Sequence, residues 1–128
     1  MRDLYPFYTP ITAGYTRNRV YLSGPMSGIP NSNLEAFERV AAYWRAHEYS
    51  VCNPVETSVV LGPMAHADYL RFDFARILEA DLVIALGGWE LSPGSRAEIY
   101  MAISMGVRVV TEDDFRLTLE DVTAAISR

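Results

Sequence analysis

Residues 81–86, reading DLVIAL, narrow the folds open to this chain more than any other stretch. A strand with one wet face alternates apolar and polar residues, whereas this run is apolar on both faces after its opening Asp81. Such a strand must be covered from both sides, as in a parallel sheet sandwiched between helices. Gly87-Gly88 stop the run before it reaches helical length.

The flanking segments fit that frame. Arg19–Ser23, RVYLS, is β-branched and aromatic and closes on Gly24-Pro25, so it reads as the first strand. Leu34, Phe37, Val40, Ala41 and Trp44 recur at helical spacing, predicting a helix to about His47 with Ser32 or Asn33 as its N-cap. Ser50–Cys52, stopped by Asn53-Pro54, reads as a short second strand, and residues 55–65 as loop. A helix is predicted over 67–79, with Tyr69 or Leu70, Phe74, Ile77 and Leu78 inward. Another runs over 94–105 with Gly106 as its C-terminal signal, followed by a strand at 107–111. Thr118 and Asp121 have capping-box spacing at the head of a last helix, 119–127. Strand and helix alternate throughout, which predicts a doubly wound parallel α/β sheet of four to five strands with helices on both faces. In such sheets ligands bind beyond the carboxyl ends of the strands. Loops 24–33, 53–66 and 87–96 are therefore where a site is expected.

A chain of 128 residues is one domain by length. Residues 1–18 form an aromatic arm with Tyr5, Phe7, Tyr8 and Tyr15, either packed on the domain or a neighbour, or lying over the site; 19–128 form the α/β domain. No uninterrupted apolar stretch is long enough for a membrane span, and the first residues lack the apolar core of a signal peptide. With a lone Cys52, this leads to an expectation of a cytoplasmic protein. Net charge is −5, and the eleven basic residues are all Arg, scattered along the chain, so duplex nucleic acid is not an expected partner. Without a single Lys, Schiff-base chemistry and a Walker-type phosphate loop are excluded.

The densest polar constellation is 87–98, GGWELSPGSRAE. Gly94 and Ser95 stand where a helix begins and offer free N–H groups to an anion or a sugar hydroxyl. Glu98 follows within the helix, where it either stabilises the helix dipole or faces the strand ends as a reactive carboxylate. Asp73 sits mid-helix between Phe72 and Phe74, an apolar setting that raises a carboxyl's pKa. Asp81, at the strand's start, reads as a backbone partner. Two carboxylates in unlike environments suit glycosidic chemistry. Tyr21 is either core or a phenolic hydrogen-bond donor. His47 and His66 lack metal-ligand spacing and read as surface or helix-end residues, and Cys52 as buried packing. Neither a dinucleotide fingerprint nor a metal pattern is present, so no cofactor is expected.

Val20-Tyr21-Leu22-Ser23-Gly24-Pro25-Met26, Asn53-Pro54, Asp73 with Asp81, and Gly88-Trp89 through Ser92, Gly94, Glu98, Ala102 and Gly106 follow one another in an ordered set. That set resembles the nucleoside 2-deoxyribosyltransferase-like superfamily over roughly residues 19–111, and within it a small phage- and prophage-associated branch of uncharacterised domains. The resemblance implies a flavodoxin-like fold and a nucleoside or nucleoside 5′-monophosphate as small-molecule substrate. It assigns the nucleophile to Glu98, the second carboxylate to Asp73 and the strand-one tyrosine to Tyr21. Substrate contacts are expected from Gly24, Met26, Trp89, Ser92, Gly94 and Ser95, with Ser92 near a 5′-phosphate and Trp89 suited to stacking on a base. Homo-oligomers in which a neighbouring subunit closes the site are also implied. The monophosphate-hydrolysing relatives carry Ser and Arg after the first strand, where this chain has Pro25 and Ser27. Two other readings compete: a phosphoribohydrolase of the cytokinin-releasing type, whose glycine-rich motif residues 87–98 echo in part, and a non-catalytic nucleotide-sequestering protein.

Overall fold

The computed structural model describes residues 18–127. Apart from Asn18, the arm expected at 1–18 lies outside the described residues. Four parallel strands form one sheet, β1 (Arg19–Ser23), β2 (Ser50–Cys52), β3 (Leu82–Ala85) and β4 (Arg108–Thr111), in the order β2-β1-β3-β4. Five helices connect and cover them: α1 (Leu34–Ala46), α2 (Pro54–Leu61), α3 (His66–Leu78), α4 (Pro93–Ser104) and α5 (Leu119–Ile126). Tyr21 stands opposite Cys52 on one side and Val83 on the other, and Ser23 opposite Ala85.

Strand alternation divides the core in two. Val20, Leu22, Val51, Ile84 and Val110 meet Phe37, Val40 and Ala41 of α1 on one face. Tyr21, Cys52, Val83, Ala85 and Val109 meet Ile77 of α3, Ile99 and Ala102 of α4, and Val122 and Ala125 of α5 on the other. Both faces of β3 are thus covered, which is why residues 81–86 carry no polar alternation. Helices on both faces of an all-parallel sheet make the fold doubly wound and flavodoxin-like. The chain leaves β1 toward β2 but leaves β3 toward β4, so the crevice between the ends of β1 and β3 is the topological switch point.

Local chemistry sets the boundaries. Asp81 Oδ2 accepts the Arg19 N–H at 3.0 Å, fixing the entry of β3 beside β1 as its position suggests. The Thr118–Asp121 capping box of α5 is formed in both directions. Gly106, at φ +82°, follows the last turn of α4 in the left-handed conformation that favours glycine. His47 ends α1 and donates through Nδ1 to the Tyr43 carbonyl at 2.7 Å, and His66 opens α3.

Two expectations are corrected and a third is refined. Residues 55–65 are not all loop, because Pro54–Leu61 is helical. Pro54 is preset for a first helical position and the Asn53 side chain accepts the Val55 N–H at 3.1 Å, so the helix is started locally despite its β-branched residues. Asn33 holds the N-cap position of α1, as one of the two expected residues, but without a side-chain capping bond: Asn31, Ser32 and Asn33 adopt left-handed angles in a 3-10 turn, and Asn33 Nδ2 donates to the Pro25 carbonyl. Leu78 is 63 % exposed rather than inward, since Ile77 takes the core position at the end of α3. No helix among the described residues is long and apolar enough to cross a membrane.

Candidate active site

The carboxyl end of β1 and the first turns of α4 meet at the switch point. Ser92 caps α4, its Oγ accepting the Ser95 N–H at 3.2 Å, and Pro93 takes the first helical position. That start aims Ser95 and Glu98 back at the strand ends, where both are buried, Glu98 at 8 % exposure. Period-two alternation along β1 sends Tyr21 and Ser23 to the same face. Tyr21 OH donates to Glu98 Oε2 at 2.8 Å, and Ser23 Oγ donates to Glu98 Oε1 at 2.7 Å. Ser23 Oγ also lies 2.8 Å from Ser95 Oγ. As the Ser23 proton goes to Glu98, Ser95 is the donor of that second bond, and a relay runs from Ser95 through Ser23 to the carboxylate.

Asp73, on the middle turn of α3, is the second carboxyl. Its Oδ1 is buried and has no hydrogen-bond partner. Burial alone pushes its pKa up to about 7. Burial raises Glu98 to about 8, the charge of Asp73 adds to the rise, and the bonds from Ser23 and Tyr21 pull it back. Tyr21 is raised well above an ordinary phenol by burial and then by the charges of Glu98 and Asp73, so it stays a proton donor. Cys52, behind Tyr21, is buried and its thiol is pushed up, first by burial, which leaves it an inert core residue.

The other expected contacts divide. Gly24 passes so close to β3 that a Cβ there would stand 2.7 Å from Leu86 Cβ. Gly88, at φ +87°, faces Pro25 and turns the chain into a 3-10 turn over Trp89–Leu91. Loops 24–33 and 87–92 are thereby held together at the mouth of the crevice. Gly94 opens onto free space at the start of α4. Trp89, only 7 % exposed, packs in the cluster that contains Tyr21 and Ile99, so its ring serves the core. Met26 packs on the opposite cluster, against the α1 side. Arg96 Nη1 donates to the Glu90 carbonyl at 2.7 Å, and Glu112 Oε2 accepts the Gly87 N–H at 2.7 Å, fixing the loop from two sides. Ser23 is the site residue that the sequence does not announce. Its signal is a polar residue closing an apolar strand, two positions from Tyr21. A separate groove of about 420 Å³, lined by Arg39, Tyr43, Trp44 and Glu112 among others, lies between α1 and the end of β4 and includes none of Tyr21, Ser23, Asp73 and Glu98. Among the described residues no group of three or more His, Cys, Asp or Glu is placed to hold a metal ion.

Fold and site together define a doubly wound α/β domain with a hydroxyl-bound carboxylate at its switch point. The chain belongs to the family described as a domain of unknown function, DUF4406, whose model matches residues 18–111 and so spans Tyr21, Ser23, Asp73 and Glu98. None of the curated proteins compared with it matches.

Proposed function

We propose that the protein cleaves or transfers the N-glycosidic bond of a nucleoside or nucleoside 5′-monophosphate, with Glu98 as nucleophile. The observation that carries the reading is one buried carboxylate with each oxygen bound by a side-chain hydroxyl, beside a second carboxyl that has an unpartnered oxygen. Hydrogen bonds from Tyr21 and Ser23 favour the ionised form of Glu98 and fix its plane, while burial keeps it poorly solvated and reactive.

A Glu98 oxygen attacks the anomeric carbon as the bond from that carbon to the base nitrogen breaks. The bonding pair leaves with the base, and the Asp73 carboxyl supplies the proton that neutralises it. The sugar is then held as an ester on Glu98. In the second half, Asp73, now ionised, takes a proton from water, whose oxygen attacks the anomeric carbon and frees Glu98. A second base in place of water gives transfer. The pair must hold one proton, which rests on Glu98 in the free protein and has to stand on Asp73 when the anomeric carbon is attacked; Asp73 is then the acid of the first half and the base of the second. The free N–H groups at the start of α4, near Gly94 and Ser95, suit the sugar or phosphate end of the substrate. The lone, buried Cys52 suits a reducing compartment such as the cytoplasm.

Chromatographic detection of free base from a panel of nucleosides and monophosphates tests the reading. Wild-type protein is expected to release base, and Glu98→Gln to lose at least about three orders of magnitude in rate while remaining folded, as losses of a nucleophile do. Binding without release would favour a sequestering protein instead.

A further inference from the structure

We propose that Asn53 and Thr57, at the start of α2, form the subsite for the leaving base, with Asn53 Nδ2 donating to a carbonyl oxygen on the base's edge. The inference rests on the N-glycosidic reading of the Glu98 site and adds to it the residues that recognise the base.

Asn53 is fully buried and Thr57 is 1 % exposed. Asn53 spends its Oδ1 on capping α2, where it accepts the Val55 N–H, and its Nδ2 has no partner. Thr57 donates its backbone N–H to the Asn53 carbonyl at 3.3 Å, but its Oγ1 also has no partner. Buried polar groups in folded proteins are paired in roughly nine cases of ten. Two unpaired groups one helical turn apart, with the unpaired Oδ1 of Asp73 on the neighbouring α3, are costly unless something polar meets them.

Their place on the sheet says what that is. Cys52 pairs with Tyr21, so Asn53 follows at the same rim of strand ends as Ser23. The whole first turn of α2 is buried; Val55 packs in the cluster on the α1 side, and Thr57, two helical residues on, points roughly the opposite way, away from α1. Tyr21, the β1 partner of Cys52, donates to Glu98, so the end of β2 lies one strand away from the Glu98 carboxylate. The N-terminus of α4, which follows β3, suits the sugar or phosphate; Asn53 and Thr57 follow β2, on the other side of β1. A base held there departs toward the carboxyl that protonates it. An amide nitrogen only donates, so Asn53 selects an oxo base over the amino base of the same shape.

Thr57→Val removes the hydroxyl and keeps the volume; Asn53→Ser keeps a capping oxygen and removes Nδ2. Each is made in the Glu98→Gln protein, and binding is measured by calorimetry with inosine against adenosine and uridine against cytidine, in ribose and deoxyribose forms. Thr57→Val is expected to weaken binding about tenfold with thermal stability unchanged or raised. Asn53→Ser is expected to abolish the preference for oxo bases. Unchanged affinity and preference in both variants overturns the subsite and leaves the two groups to structural water. Failure of the Glu98→Gln parent to bind any of these nucleosides or their 5′-monophosphates overturns the N-glycosidic reading, and the subsite with it.

Discussion

Glu98 is held in a compromise. Burial and the charge of Asp73 favour its protonated form, while the hydroxyls of Tyr21 and Ser23 favour the carboxylate. The compromise has a cost in stability with a definite sign. An unfolded Glu ionises near 4.5, whereas the folded one does so near 8, so between those values the folded state holds a proton that the unfolded state has released. Stability from this group is therefore fully present below about pH 4.5 and is lost as pH rises toward 8 and beyond. Gln does not titrate. Glu98→Gln is expected to match wild type in thermal denaturation near pH 5 and to exceed it at pH 9. The margin is at most about 5 kcal/mol, because about three and a half tenfold changes in proton binding separate 4.5 from 8 and each is worth about 1.4 kcal/mol. Equal melting temperatures at both pH values would mean that Glu98 is more freely hydrated than its 8 % exposure implies.

The start of α4 is the element on which the proposed site depends, because a single serine both caps the helix and stands at the end whose free N–H groups suit an anion. Ser92 Oγ accepts the Ser95 N–H and keeps its own proton for a ligand. Ser92→Ala is expected to cost about 1 kcal/mol in stability through the lost cap. It is also expected to weaken monophosphates by about ten- to a hundredfold, the worth of one bond to a charged group, while nucleosides bind nearly as before. Equal losses for both substrate classes in a titration would remove Ser92 from the phosphate end. Elements of this kind differ in how openly the sequence displays them. β3 is legible from its unbroken apolar run, α1 from its spacing of Phe37, Val40, Ala41 and Trp44, and the head of α5 from Thr118 and Asp121. α2 is not, because VETSVV has no amphipathic period and Glu56 is its one good helix former, and its buried part is a single turn. Ser23 is hidden because one serine in a strand has no pattern of its own; its partners lie 72 and 75 residues away. Trp89 reads as a loop residue after two glycines, yet the left-handed Gly88 and the 3-10 turn fold its ring back into the core.

At the scale of the whole molecule, the reversal of winding between β1 and β3 brings together residues far apart in sequence, Tyr21 and Ser23 with Asp73 and Glu98. Leu91, 84 % exposed, and Tyr100, 44 % exposed, leave apolar surface before and along α4. A homodimer is proposed on that ground and on the resemblance, which implies that a second subunit closes the site. Sedimentation at micromolar concentration is expected to give twice the chain mass, and a monomer there would count against it. The covalent bond between Glu98 and a sugar is the step on which the proposed chemistry depends. A 2′-fluoro-arabino nucleoside is expected to slow the second half of the reaction more than the first, so that the ester accumulates. Intact-mass measurement followed by peptide mapping is expected to find one added fluorosugar on the peptide containing Glu98. Turnover of substrate with no adduct at any time, or an adduct on Asp73, would contradict the account.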